Sequence, residues 1–246
     1  MSQPWKIAAV GGVAGAAVSL LLFFGAGALG LLPFPANGNA LHTYLLTHPD
    51  VLVEMTGKLQ AQQDASDDNA RQTAVDKLGL KEFFDPRVAF VTGPATAKTT
   101  VVEFFDYNCP YCRASVPAVK KFYESHRNVR FAFIEFPIKG PSSTVAARAA
   151  MAARKQPQKY LAFHFALMSQ EGAVDANTVF VVARKTGLDL NKLKADMSSP
   201  GVDLALARAH TLAQAAGIDG TPAFIVNGKI REGAIDDAIL ARMAKG

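Results

Sequence analysis

Val101-Val102-Glu103-Phe104-Phe105-Asp106-Tyr107-Asn108-Cys109-Pro110-Tyr111-Cys112 holds both cysteines of the chain, and its reading decides the fold. Val101 to Phe105 is an apolar run rich in Val and Phe, which predicts a buried strand. The run stops at the polar Asp106 and Asn108, and a helical pattern begins at Cys109. Pro110 takes the first helical position, where its missing N–H costs nothing. Cys109 is therefore expected exposed at a helix N-terminus, with Cys112 one turn further in. Unpaired backbone N–H groups and the helix dipole favour an anion there. A thiolate is such an anion, so Cys109 should have a lowered pKa and a reactive sulfur.

Working outward, Arg87 to Thr92 reads as a first strand and Gly93-Pro94 as a turn. After the cysteines, Val116, Val119, Phe122 and Tyr123 give the helix an apolar face, and Pro117 is expected to kink it. Val129 to Phe136 is another strand, so the middle of the chain is a βαβ unit with a right-handed crossover. A helical region from about Ser142 to Ala216 follows, divided at Pro157, Gly172, Gly187 and Pro200. Ala223 to Val226 is a short strand, Asn227-Gly228 a hairpin turn, and Lys229-Ile230 the start of its partner. Ile235 to Ala244 closes the chain as a helix. The class is α/β.

Upstream, residues 1–6 form a short head carrying Lys6. Residues 7–32 are uncharged and almost wholly apolar, longer than the roughly 20 residues that span a bilayer as a helix. This favours an uncleaved transmembrane anchor with a cytoplasmic N-terminus. The alternative is a long signal peptide, for which Gly38-Asn39-Ala40 offers a cleavage site. Either way the remainder is exported. Residues 41–82 read as a helical segment in which Leu45, Leu52 and Leu59 fall seven apart, with Leu41 and Met55 on intervening heptad positions. That seam is either docked on its own domain or used for self-association. It fades into the polar Gln60 to Asn69. Among 246 residues the formal charge is +5, with no dense Lys/Arg block, which gives nucleic-acid binding little support.

Two cysteines at this spacing can cycle between dithiol and disulfide, Cys109 exchanging with a substrate and Cys112 resolving the mixed disulfide. A structural zinc site needs about four ligands and one Cys-x-x-Cys supplies only half of them. The five histidines are scattered, so no metal site is expected. Haem attachment would need His where Arg113 stands. Glu103 is an acid inside an apolar strand, either a buried proton carrier for Cys112 or half of an ion pair with a lysine. Gly220-Thr221-Pro222 precedes the last hairpin, and Pro is tolerated at the start of a strand.

Phe104-Phe105-Asp106-Tyr107-Asn108-Cys109-Pro110-Tyr111-Cys112, taken with Gly220-Thr221-Pro222-Ala223-Phe224, resembles the DsbA-like thiol:disulfide oxidoreductases, and within them the ScsC branch. Tyr44 to Leu52 resembles the N-terminal segment of ScsC-type proteins, which in some members mediates oligomerisation. The resemblance implies a thioredoxin fold over residues 86–246 with a helical insertion at about 142–216, preceded by the helical segment and the transmembrane helix. It implies that Cys109 is the nucleophile, Cys112 its buried partner and Glu103 the buried acid. It also implies that Pro222 is cis and that Thr221 offers backbone hydrogen bonds to an extended substrate. Pro110 and Tyr111 lie between the cysteines, and Tyr111 and Thr221 stand where the family tunes redox potential. The implied activity is disulfide donation to unfolded or partly folded exported proteins on the periplasmic side of a bacterial inner membrane. A membrane redox partner would recycle the Cys109–Cys112 disulfide, with no other cofactor. The alternatives are an oligomeric disulfide isomerase or reductase and, from another class, a copper(I)-binding or chaperone module.

Overall fold

The computed structural model describes residues 38–245. The head at 1–6 and the anchor expected at 7–32 lie outside them. Among the described residues no helix is long and apolar enough to cross a membrane.

The chain divides into two compact units at Asp64/Ala65. Helix α1 spans Gly38–Thr47, α2 Pro49–Leu78 and the single turn α3 Leu80–Phe83. The helical segment expected over 41–82 is thus interrupted twice. His48 precedes a proline, which disfavours helical backbone at that residue. Gly79 has φ 78, a left-handed value that glycine takes without cost. Within the first unit, Leu41, Leu52, Met55 and Leu59 are all exposed.

The second unit is built on a five-stranded sheet: β1 Ala89–Thr92, β2 Thr99–Phe105, β3 Val129–Glu135, β4 Ala223–Val226 and β5 Lys229–Glu232. The spatial order is β1-β3-β2-β4-β5. β2 and β3 are parallel, joined by α4 (Pro110–Ser125), which is the expected βαβ unit. Pro117 lies inside α4, and the helix runs through it. The other pairings are antiparallel, as a hairpin at Asn227-Gly228 requires. The insertion comprises α5 (Pro141–Ala153), α6 (Pro157–Met168), α7 (Ala176–Lys185), α8 (Leu190–Met197) and α9 (Pro200–Ala215), and α10 (Asp237–Lys245) closes the chain.

Strand alternation sorts the core into two layers. Val101, Phe105, Phe131, Phe133, Phe224 and Val226 face one side and pack with Val116 and Val119 of α4 and Phe163 and Leu167 of α6. Val102, Phe104, Ala132, Ile134, Ala223 and Ile225 face the other, against Ala209 and Ala213 of α9. Val75, Phe83 and Phe84, upstream of the start expected at residue 86, belong to this second layer. The end of α2 is held there by polar contacts as well. Gln72 donates to Gly228 O at 2.8 Å and accepts from Ile230 N at 3.2 Å. Arg71 pairs with Glu232 at 3.1 Å.

Candidate active site

The cysteines sit where the parallel βαβ unit leaves the sheet. β2 ends at Phe105, three residues turn the chain, and Cys109 becomes the N-cap of α4 with Pro110 in its first turn. Both cysteines are free thiols. The expectation that Cys109 is exposed is not met, for its residual exposure is 0%. The chain folds the loop before β4 over it, and its thiol donates to Thr221 O at 3.0 Å. Tyr111, between the cysteines, stays 65% exposed. The Thr221–Pro222 peptide is cis.

The two sulfurs have opposite acid strengths. Cys109 is lowered to about 5. The thiol of Cys112 donating to it is the largest cause. Burial works against the shift, and Thr221 and the backbone N–H groups of Cys112 and Tyr111 work for it. Cys112 is pushed strongly upward, by burial first and then by its bond to Cys109. A thiolate on Cys109 beside a neutral thiol on Cys112 is the arrangement thiol–disulfide exchange needs.

Glu103 lies below them on the same side of the sheet as Phe105, between Phe133 of β3 and Phe224 of β4. It is 2% exposed, and burial raises its carboxyl to about 8. Its Oε2 is without a hydrogen-bond partner, and among the described residues no lysine pairs with it. Its charge, when present, raises Cys112. The proton-carrying alternative therefore retains its physical basis.

Several residues that shape the site are assigned no part in it by the sequence. Asp106 accepts from Asn108 N at 2.7 Å and from Ile138 N and Lys139 N at 2.7 and 2.8 Å. Arg113 donates twice to Tyr107 O, at 3.1 and 2.8 Å. The Tyr107 hydroxyl meets His164 Nδ1 of α6 at 3.1 Å. Glu135 at the end of β3 accepts from the Tyr160 hydroxyl at 3.3 Å, and burial raises its carboxyl to about 8. The only signal was the polar character of Asp106 and Asn108, which reads equally as the end of a strand.

This geometry coincides with a family match: the DSBA-like thioredoxin domain aligns with residues 100–242. The chain belongs to the DsbA-like thioredoxin family. A thioredoxin-like oxidoreductase from Silicibacter pomeroyi is 42% identical, covering 68% of this chain and 96% of that one with a TM-score of 0.63. Proteus mirabilis ScsC is 28% identical, over 84% of this chain and 91% of its own, TM-score 0.63. BcfH of Salmonella enterica Typhimurium is 29% identical over 94% of this chain and all of its own, TM-score 0.69. The resemblance to DsbA-like and ScsC-type proteins read from the motifs is thus borne out, and the domain is of the thiol–disulfide oxidoreductase type. The first curated relatives that the chain matches are Na(+)/H(+) antiporters from Salinispora, and it spans 23% of their length.

Proposed function

We propose that this protein is a thiol:disulfide oxidoreductase acting on exported proteins, working chiefly as a disulfide donor through Cys109–Cys112. The observation that carries this reading is the acid thiol of Cys109, held by the helix N-terminus and Cys112. A site that stabilises the thiolate stabilises the reduced enzyme, which makes its disulfide a strong oxidant.

In the forward direction a substrate thiolate attacks Cys109 Sγ of the enzyme disulfide. The Sγ–Sγ bond breaks and the electron pair leaves on Cys112. Cys112 then needs a proton, and the Glu103 carboxyl, neutral below about 8, is the donor. A second substrate thiolate attacks the substrate sulfur of the mixed disulfide and expels Cys109 as a thiolate, which leaves readily because its pKa is low. The substrate is oxidised by two electrons and the enzyme pair is reduced. A membrane redox partner would return it to the disulfide, with no cofactor beyond the pair itself. Thr221 and Pro222 would align an extended substrate beside Cys109. Pro110 starts the helix and the exposed Tyr111 meets the chain being oxidised. The apolar residues 7–32 would deliver the domain to the periplasmic side of the membrane.

A second reading is an oligomeric disulfide isomerase or reductase. It is favoured by the exposed Leu41, Leu52, Met55 and Leu59 of the first unit, which would join protomers around a substrate. The equilibrium of Cys109–Cys112 with glutathione tests the choice. A potential well above that of the glutathione pool supports the oxidase, and one near thioredoxin's, about −270 mV, removes it. If a Cys109→Ser chain kept the protein's role, a chaperone module would replace both readings, whereas a copper(I) site on the two thiols would be lost with Cys109.

A further inference from the structure

Asn108 immediately precedes the nucleophile, and its side chain points away from it into the insertion. Its Oδ1 accepts from Val174 N at 2.7 Å, and its Nδ2 donates to Val174 O at 3.2 Å. The carboxamide therefore pairs with the Val174 backbone in both directions, as a neighbouring strand would. Nδ2 also reaches Ser142 Oγ and Ser143 Oγ of α5, each at 3.2 Å. Val174, between α6 and α7, is fully buried. Only a carboxamide carries a donor and an acceptor on one short planar group. Asp would set an oxygen against the Val174 carbonyl, and Ala would leave two buried backbone groups unpaired.

We propose that Asn108 is a positioning residue for Cys109, tying the loop before the nucleophile to the insertion so that the sulfur stays over the first N–H groups of α4. This rests on the oxidoreductase reading above. The loop has other holds, at Asp106 and through Arg113 to Tyr107, but Asn108 is covalently next to the sulfur-bearing residue and bridges two parts of the insertion. Without it Cys109 can turn away from the Tyr111 and Cys112 amides that favour its thiolate. The insertion thereby sets the acid strength of a cysteine that none of its own helices carries.

The test uses Asn108→Ala and Asn108→Ser in the full chain, with three readouts: alkylation rate of Cys109 against pH, equilibrium with glutathione, and urea midpoints of the reduced and oxidised forms. A merely structural anchor weakens both forms alike and leaves the glutathione equilibrium unmoved. Positioning instead shifts the alkylation midpoint upward. It also moves the equilibrium about tenfold toward the enzyme disulfide, roughly 30 mV. Asn108→Ser keeps one donor and one acceptor and should fall between wild type and Asn108→Ala; if Asn108→Ala does not fold, Asn108→Ser is judged alone by the same criterion. Variants with wild-type midpoint and equilibrium overturn the proposal, whatever their urea midpoints. A wild type without an acid-shifted thiol would sink the disulfide-donor reading itself.

Discussion

The Cys109 thiol donates to the Thr221 carbonyl oxygen at 3.0 Å. That bond exists only while the sulfur is protonated, since a thiolate has no proton to give. On ionisation the sulfur must exchange this acceptor for donors, and those present are the Cys112 thiol, the Thr221 hydroxyl and the N–H groups of Cys112 and Tyr111. Thr221 therefore meets the nucleophile through its carbonyl only while the sulfur is protonated, and favours the thiolate through its side chain.

The first prediction concerns pH. With Cys109 lowered to about 5, alkylation of the reduced protein should remain fast at neutral pH and fall off only in acid, through a midpoint near that value. Cys112 should stay unmodified in the native state. The folded value lies below the unfolded one, about 8.5, so the reduced form gains stability above the unfolded pKa and loses it as pH falls through about 5. Urea midpoints of the reduced form relative to the oxidised form should rise with pH across this window. A flat difference would show that the thiolate is not stabilised by the fold.

The Cys112 thiol is the largest cause of that acid shift. Cys112→Ala should therefore raise the Cys109 pKa toward the ordinary thiol range, read from the ultraviolet absorbance of the thiolate, while Cys109 remains able to form mixed disulfides. Those mixed disulfides should accumulate, because the internal thiol that resolves them is gone. An unchanged pKa in this variant would assign the shift to Thr221 and the helix terminus.

The elements around the cysteines were legible because each carries a local signal. Val101 to Phe105 is a continuous apolar run, Pro110 marks a helix start, and Asn227-Gly228 with φ 50 and 83 is the turn its sequence predicts. The covering of Cys109 was not legible, because it depends on a contact between residues 109 and 221 that no local pattern encodes. Asn108 was missed for the same reason. Its partners at 142, 143 and 174 are distant in sequence, and a lone asparagine between strand and helix looks like a terminator. Glu135 falls inside a run that patterns as one strand and its partner Tyr160 on the apolar face of a later helix, so neither position signals the pairing.

Glu103 gives a prediction with the opposite sign. Its folded pKa, about 8, lies above the unfolded value of about 4.3. Folding is therefore unpenalised below the unfolded value and loses stability as pH rises toward about 8. Glu103→Gln removes the cost of burying the charge, so it should match the wild type in acid and exceed it by up to about 5 kcal/mol in mild alkali. Urea titrations at both ends of the window measure this. The same variant should form mixed disulfides from the oxidised enzyme more slowly, having lost the proton donor to Cys112. A stability difference independent of pH would mean that the carboxyl is not titrating in the fold.

The last prediction addresses assembly. Leu52 and Leu59 lie seven residues apart on α2 with Met55 between them, and they are 49%, 66% and 58% exposed. Three large apolar side chains on one stripe cost little singly but form a seam when they recur at this interval. If they join protomers, residues 33–246 should be oligomeric by light scattering, and Leu52→Glu with Leu59→Glu should reduce the mass to that of one chain. The substituted residues lie in the first unit, outside the thioredoxin domain, so oxidation of a small dithiol peptide should be unchanged. Shuffling of a scrambled multi-disulfide protein, which profits from several active sites around one substrate, should fall. Equal mass before and after substitution would leave the seam without a role in assembly.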